Sequence, residues 1–176
     1  MSEIHYRRLT DENDPDYASY MELYHSSFPI HEQREPASQR NIMRLSDYRF
    51  DRIYDGSEFV GLMLNWETEH FIYVEHFCIL PEKRSLGYGQ KALRLLAERR
   101  KPVILEIDPP IDEISIRRKA FYERAGFYSN NYSHVHPAYH DGFDGHDLIV
   151  MSSPNMLTPA EYDRFMQYLC KAVMGN

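Results

Sequence analysis

The stretch that most constrains this chain is Arg84-Ser85-Leu86-Gly87-Tyr88-Gly89-Gln90. It follows an apolar run, Phe71-Ile72-Tyr73-Val74-Glu75-His76-Phe77-Cys78-Ile79-Leu80, which Pro81 closes. It opens a second run, Gly87 to Arg100, in which Leu93, Leu96 and Ala97 share one helical face and Lys91, Arg94, Glu98 and Arg99 the other. A strand must therefore turn into a helix within a few residues. Glycines in such a turn let main-chain amides approach a ligand without a Cβ in the way. The first N–H groups of the helix lack intrahelical acceptors, and the helix dipole adds positive potential. The result is an anion cradle suited to a pyrophosphate, with Arg84 and Lys91 adding charge. A Gly-x-Gly turn alone also fits a bare strand-to-helix connection. The segment lacks the Lys-Ser/Thr ending of a P-loop, and Ala92 stands where a dinucleotide fingerprint has its third glycine.

The rest of the chain supplies an order of elements. Val103–Ile107 is short, apolar and β-branched, so strand, helix and strand predict a right-handed crossover between parallel strands. Upstream, Tyr48–Tyr54 and Glu58–Trp66 flank the turn signal Asp55-Gly56 and, with Phe71–Leu80, predict an antiparallel meander. Ile4–Leu9 reads as a strand, and Tyr17–Phe28 and Pro36–Ser46 read as helices. Ser115–Ala125 reads as a helix stopped by Gly126, with strands expected around Phe127–Tyr132 and Asp147–Ser152. Thr158-Pro159 opens a last helix toward Val173. At 176 residues the chain suits one domain, residues 1–176.

Charge and composition narrow the function. Lys and Arg number 20 against 27 Asp and Glu, a net charge of −7. That is the wrong electrostatic footprint for nucleic acid and favours, weakly, a cationic acceptor. No apolar run reaches the ~18 residues of a membrane span, and the first residues lack a signal-peptide core, so no membrane partner is expected. Cys78 and Cys170 make no disulfide framework. A reduced, cytoplasmic protein is expected.

Two signatures then appear in order. Arg84-Ser85-Leu86-Gly87-Tyr88-Gly89 fits a Gln/Arg-x-x-Gly-x-Gly/Ala loop, and Ala120-Phe121-Tyr122-Glu123-Arg124-Ala125-Gly126-Phe127 places a Tyr ahead of Gly-Phe. With them, Phe71 to Phe127 resembles the GNAT superfamily of acyl-CoA-dependent N-acetyltransferases. The resemblance implies an α/β (α+β) fold: a mixed, mostly antiparallel central sheet flanked by helices, with splayed central strands. It implies acetyl-CoA as co-substrate in the gap between those strands. A bulge would free backbone groups near Phe77, Cys78 and Ile79 for the pantetheine amides. The amides of Ser85, Leu86, Gly87, Tyr88, Gly89 and Gln90, beside Arg84, would take the pyrophosphate. Ser115 stands where the family often has an Asn that touches the cofactor. The implied reaction is acetyl transfer to a primary amine of a small molecule or peptide.

Direct transfer to an amine needs a base for the ammonium proton and an acid for the departing thiolate. Tyr122 matches the family's tyrosine acid. Three groups compete for the base, in the order Glu75, Glu106, His76, with a water chain as the alternative. Glu75 lies among Tyr73, Phe77 and Ile79, where a carboxylate is costly unless it faces a cleft, and partial burial would raise its pKa. Glu106 is isolated among Val103, Ile104, Leu105 and Ile107. Strand alternation puts His76 on the opposite face from Glu75 unless a bulge intervenes. Cys78, mid-strand in apolar company, reads as an inert small hydrophobe rather than a nucleophile.

His134, His136, His140 and His146 cluster near Asp141, Asp144 and Asp147 in no zinc spacing, so no metal is expected. That stretch reads as a substrate-facing or solvated loop, sharing acceptor specificity with Phe28–Glu35. The last helix carries Tyr162, Phe165, Met166, Tyr168, Leu169 and Val173, enough to pack on its own core or on a second copy, which leaves a homodimer open. The rival readings are a non-catalytic acyl-CoA sensor or interaction module on the same fold, and a histidine-liganded metal protein.

Overall fold

The computed structural model describes residues 3–175. β1 (Ile4–Leu9), β2 (Tyr48–Asp55), β3 (Glu58–Glu67) and β4 (Ile72–Ile79) form an antiparallel series, as the turn at Asp55-Gly56 and the period-2 pattern require. α3 (Tyr88–Ala97) then crosses over to β5 (Val103–Ile107), which runs parallel to β4. β9 (Ile149–Ser153) pairs antiparallel with β5, and β6 (Tyr128–Ser129) pairs with β9. The result is one seven-stranded sheet, ordered β1-β2-β3-β4-β5-β9-β6. β7 (Val135–His136) and β8 (His146–Asp147) form a separate antiparallel pair.

Helices cover both faces of the sheet, so the strands bury side chains on each side. On one face lie α1 (Tyr17–Ser27), α2 (Pro36–Ile42) and α5 (Pro159–Tyr168), the last continued by a π-helical stretch, Leu169–Val173. Tyr24, Ile42, Phe165 and Val173 from these segments pack on Phe50, Leu62, Leu64 and Trp66. On the other face, Ala92, Leu93 and Leu96 of α3 and Phe121 and Tyr122 of α4 (Glu113–Arg124) pack on Ile53, Met63, Ile72 and Met151. Burying each large apolar side chain stabilises the fold by roughly 1.5–3 kcal/mol. Among the described residues, no helix is long and apolar enough to cross a membrane.

Two departures from regular geometry make the site. β4 and β5 pair only from Ile72↔Val103 to Val74↔Leu105, and beyond that point they part. Opposite β3, Leu64 faces His76 while Asn65 faces Val74, so Glu75 is an extra, unpaired residue in a bulge.

Some boundaries differ from the sequence expectation, for local reasons. α2 stops at Ile42, and the chain leaves through short turns in which the N–H of Leu45 donates to the Ile42 carbonyl. α4 starts at Glu113 because Asp112 caps it: its carboxylate accepts from the Ser115 N–H at 2.8 Å, and Ser115 Oγ accepts from the Asp112 N–H at 3.1 Å. The strand expected over Phe127–Tyr132 shrinks to two residues, since the Asn130 side chain turns in to donate to Ser152 Oγ at 2.9 Å. The cap gives a test. Asp112→Ala should lower stability, read as a lower urea midpoint at unchanged slope. An unchanged midpoint would show that α4 does not depend on Asp112.

Candidate active site

The parting of β4 from β5 opens a cleft of about 930 Å³. Inner residues of both strands line it, as do the turn before α3, the cleft face of α4, and the β7–β8 segment. Phe77, Cys78, Ile79, Arg84, Ser85, Gly87, Tyr88, Gly89 and Gln90 all lie on its wall, as do Tyr122, Glu75, Glu106 and His76. The splay also leaves the β5-facing edge of β4 without a strand partner from Glu75 to Ile79.

The turn has the conformation an anion cradle needs. Gly87 sits at φ +83, a left-handed value that side chains disfavour, and the space over it is open. Ser85 also adopts a positive φ of 64, backbone strain of the kind found at binding turns. A Cβ on Gly89 would meet Phe121 Cζ at 3.0 Å, so that glycine lets α3 pack closely on α4. Among the described residues, no N–H from Ser85 to Gln90 makes a short, well-aligned bond to a main-chain carbonyl; the first such bond of α3 runs from the Lys91 N–H to the Gly87 carbonyl. Arg84 Nε donates to the Ile79 carbonyl at 3.1 Å and ties the turn to the end of β4.

The second signature is a helix stop. Gly126 at φ +89 lets its own N–H reach the Glu123 carbonyl and the Phe127 N–H reach the Tyr122 carbonyl, both at 3.0 Å. Phe127 then packs edge-on to Tyr122 at 5.7 Å. Tyr122 is thereby fixed on the cleft wall. Burial pushes its phenol up to about 12, with Arg118 partly opposing, so it holds its proton at neutral pH.

The two carboxylates expected as bases are committed to other groups. Glu75 Oε1 accepts from Arg34 at 2.5 Å and from the Tyr139 hydroxyl at 2.8 Å, and Oε2 accepts from Trp66 Nε1 at 2.7 Å. Burial alone would raise its pKa, but Arg34, His76 and the bond from Trp66 outweigh burial and hold it at about 2. The expectation that burial would tune Glu75 upward is therefore corrected. Glu106 accepts from Tyr73 on one oxygen and meets His134 Nε2 on the other. Burial works against its ionisation, yet the bond to His134 and the nearby His136 leave it below its ordinary value.

The bulge also corrects the facing of His76. Its ring packs on Tyr24 and Phe28, at 4.9 and 4.8 Å, on the same face that holds Glu75. Its Nε2 lies 2.7 Å from the Glu32 carbonyl, and burial lowers its basicity. Ser115 is withdrawn from the cleft, because its hydroxyl is tied to Asp112 in the α4 cap, and Leu86 points to solvent. Burial pushes the Cys78 thiol up to about 11, the state of an unreactive thiol.

The histidine-rich stretch is solvated only in part: Asp141 to Gly145 are exposed, while Pro137, Ala138 and Tyr139 line the cleft. His134 and His136 are buried at 4% and 5% exposure. His31, Glu32 and His146 bring donor atoms within 4.8 Å of one another, but His146 already faces Asp108 at 3.3 Å and His31 lies 3.7 Å from Glu32. Sequence reading placed Arg34 and Tyr139 only within two stretches tied to acceptor specificity, Phe28–Glu35 and the histidine-rich segment, and did not foresee their bonds to Glu75. A buried arginine two positions before Pro36 carries no local pattern that would reveal its partner.

Residues 17–127 match the family model described as the acetyltransferase (GNAT) family, and the chain belongs to that family. A solved structure from Bacteroides thetaiotaomicron, assigned as a GNAT-family acetyltransferase, is 30% identical and has a TM-score of 0.91, covering 98% of this chain and 99% of that one. YjbC of Bacillus subtilis (strain 168), assigned as an acetyltransferase, is 27% identical over 103 residues, 57% of this chain and 52% of the relative. The match thus spans about half the length of that curated relative. Arabidopsis thaliana Naa50, solved with the bisubstrate analogue CoA-Ac-MVNAL, shares the fold at a TM-score of 0.60 and 14% identity, over 85% of this chain and 97% of its own.

The Arg34–Glu75 pair makes a pH prediction. A carboxylate pKa of about 2, below the ordinary 4.5, adds stability that is complete above pH 4.5 and lost as pH falls toward 2. Melting temperatures should fall across that window, and Glu75→Gln should flatten the fall. At neutral pH the same substitution should cost roughly 3–5 kcal/mol, because it leaves Arg34 buried and unpaired. An acid limb identical in the variant would contradict the assignment.

Proposed function

We propose that this protein transfers an acetyl group from acetyl-CoA directly to a primary amine of a small molecule or peptide. The observation that carries the reading is the turn from Ser85 to Gln90, whose unengaged N–H groups stand at the end of the β4–β5 cleft. A pyrophosphate there would satisfy orphan donors and meet the positive end of α3. Pantetheine would then run along the free edge of β4 past Phe77, Cys78 and Ile79, adding a strand-like partner. Family membership and the CoA analogue held by a protein of the same fold support this placement.

Tyr122 is the acid. Its phenol keeps its proton at neutral pH and stands on the cleft wall, ready to donate to the sulfur as the thioester bond breaks. Glu106 and Glu75 act as fixed negative charges rather than as proton acceptors, since each oxygen already has a partner. Glu106 in particular favours an ammonium entering from the open end. Cys78, held protonated, leaves no covalent acyl-enzyme route.

The test is CoA release with acetyl-CoA and a panel of amines covering peptides, amino acids and polyamines. Tyr122→Phe should lower kcat by about 10²–10⁴-fold while acetyl-CoA still binds by calorimetry. Binding of acetyl-CoA without turnover on any amine would leave an acyl-CoA-binding module in place of an enzyme.

A further inference from the structure

β7 and β8 close over the open end of the cleft, pairing Val135 with Asp147 and His136 with His146. His136 lies on the cleft wall and is 5% exposed. Its Nδ1 is 2.7 Å from the Pro137 carbonyl, which can only accept, so Nδ1 carries the hydrogen. In the neutral ring, Nε2 then holds the free lone pair. Among the described residues, that Nε2 is buried and has no partner. An unsatisfied buried acceptor is costly, and in a cleft wall it marks a place for a ligand's donor.

The surroundings single out this nitrogen. The ring lies against Tyr139, centroids 5.0 Å apart, and Tyr139 is anchored to Glu75. His76 also has an unpartnered nitrogen, Nδ1, but its ring is wedged between Tyr24 and Phe28 and burial weakens it as a base. The charged and titratable groups facing His136 are Glu106 on β5, Glu75 and His76 on β4, His146 on β8, and Arg34 across Tyr139. Glu75 and Arg34 neutralise one another, and Glu106, bonded to Tyr73 and His134, is the other carboxylate on this wall.

We propose that Nε2 of His136 binds the acceptor ammonium and takes its proton, making His136 the general base of the reaction. This rests on the acetyl-transfer reading above. Nε2 accepts one proton from R–NH3⁺, and the freed lone pair attacks the acetyl carbonyl carbon. The C–N bond forms, the C–S bond breaks, and the bonding pair leaves on sulfur, which takes the Tyr122 proton. The second proton on the new amide nitrogen restores the Tyr122 phenol, and His136 releases its proton to solvent. One proton is produced per turnover.

The experiment compares wild type, His136→Gln and His76→Gln with acetyl-CoA and an amine that the wild type acetylates. His136→Gln should lower kcat/KM for the amine by about 10²–10⁴-fold at pH 7, with acetyl-CoA affinity unchanged by calorimetry. The acidic limb of its pH–rate profile should move up to the amine's own ionisation, so its rate should recover at alkaline pH, where the amine is neutral unaided. Wild-type turnover that survives His136→Gln, a loss confined to His76→Gln, or a parallel loss of acetyl-CoA binding would each overturn the role of His136. No wild-type turnover on any amine would instead count against acetyl transfer itself.

Discussion

The separation of β4 from β5 beyond Val74 and Leu105 is the constraint on which the rest depends. A regular parallel pair would fill that space with ladder bonds and leave no cleft. The bulge at Glu75 occurs where pairing ends, and the ion pair to Arg34 holds it. Both side chains are almost wholly buried, at 3% and 0% exposure, so the pair bears a large desolvation cost. What it supplies is placement. Arg34 also donates to Ser38 and to the Val173 carbonyl, so one guanidinium ties the start of α2, the bulge and the C-terminal π-helical stretch together. The cleft wall is thus braced from both ends of the chain.

Across the cleft the electrostatics divide. At one end, unengaged N–H groups and the α3 dipole offer positive potential without any buried side-chain charge. At the other, Glu106 keeps its charge deep in the protein, supported by Tyr73 and His134. Tyr122, kept neutral by burial, stands on the wall between these ends. Such an arrangement suits a substrate pair in which one member is anionic and the other arrives as a cation. The overall charge of −7 is a separate matter, since it says nothing about this local division.

Much of this was legible in the sequence where a backbone requirement is local. Gly87 must take a positive φ to start α3, and Gly126 must do so to stop α4, so both signatures follow from their own neighbours. The antiparallel meander and the parallel crossover followed from strand periodicity and the spacing of proline and glycine, whereas the place of β9 between β5 and β6 did not. What remained hidden depends on distant partners. Arg34 meets Glu75 across 41 positions, and Tyr139 meets it across 64, with no periodicity linking them. His134 reads as part of a polar loop until Glu106, 28 positions away, is found to take its ring into the core. One inserted residue in β4 shifts the alternation, which is why Glu75 and His76 share a face that simple counting denies them. Ser115 resembled a cofactor contact by position, yet Asp112 had prior claim on its hydroxyl.

The central claim is that main-chain N–H groups of this turn grip the diphosphate of CoA in the β4–β5 cleft. Amide-resolved NMR during titration with CoA tests it most directly. The account predicts large, saturable shifts at the amides of Ser85 to Gln90, with a second set at Phe77 to Ile79. Binding that leaves those amides unmoved, or that perturbs only the opposite face of the sheet, would contradict it.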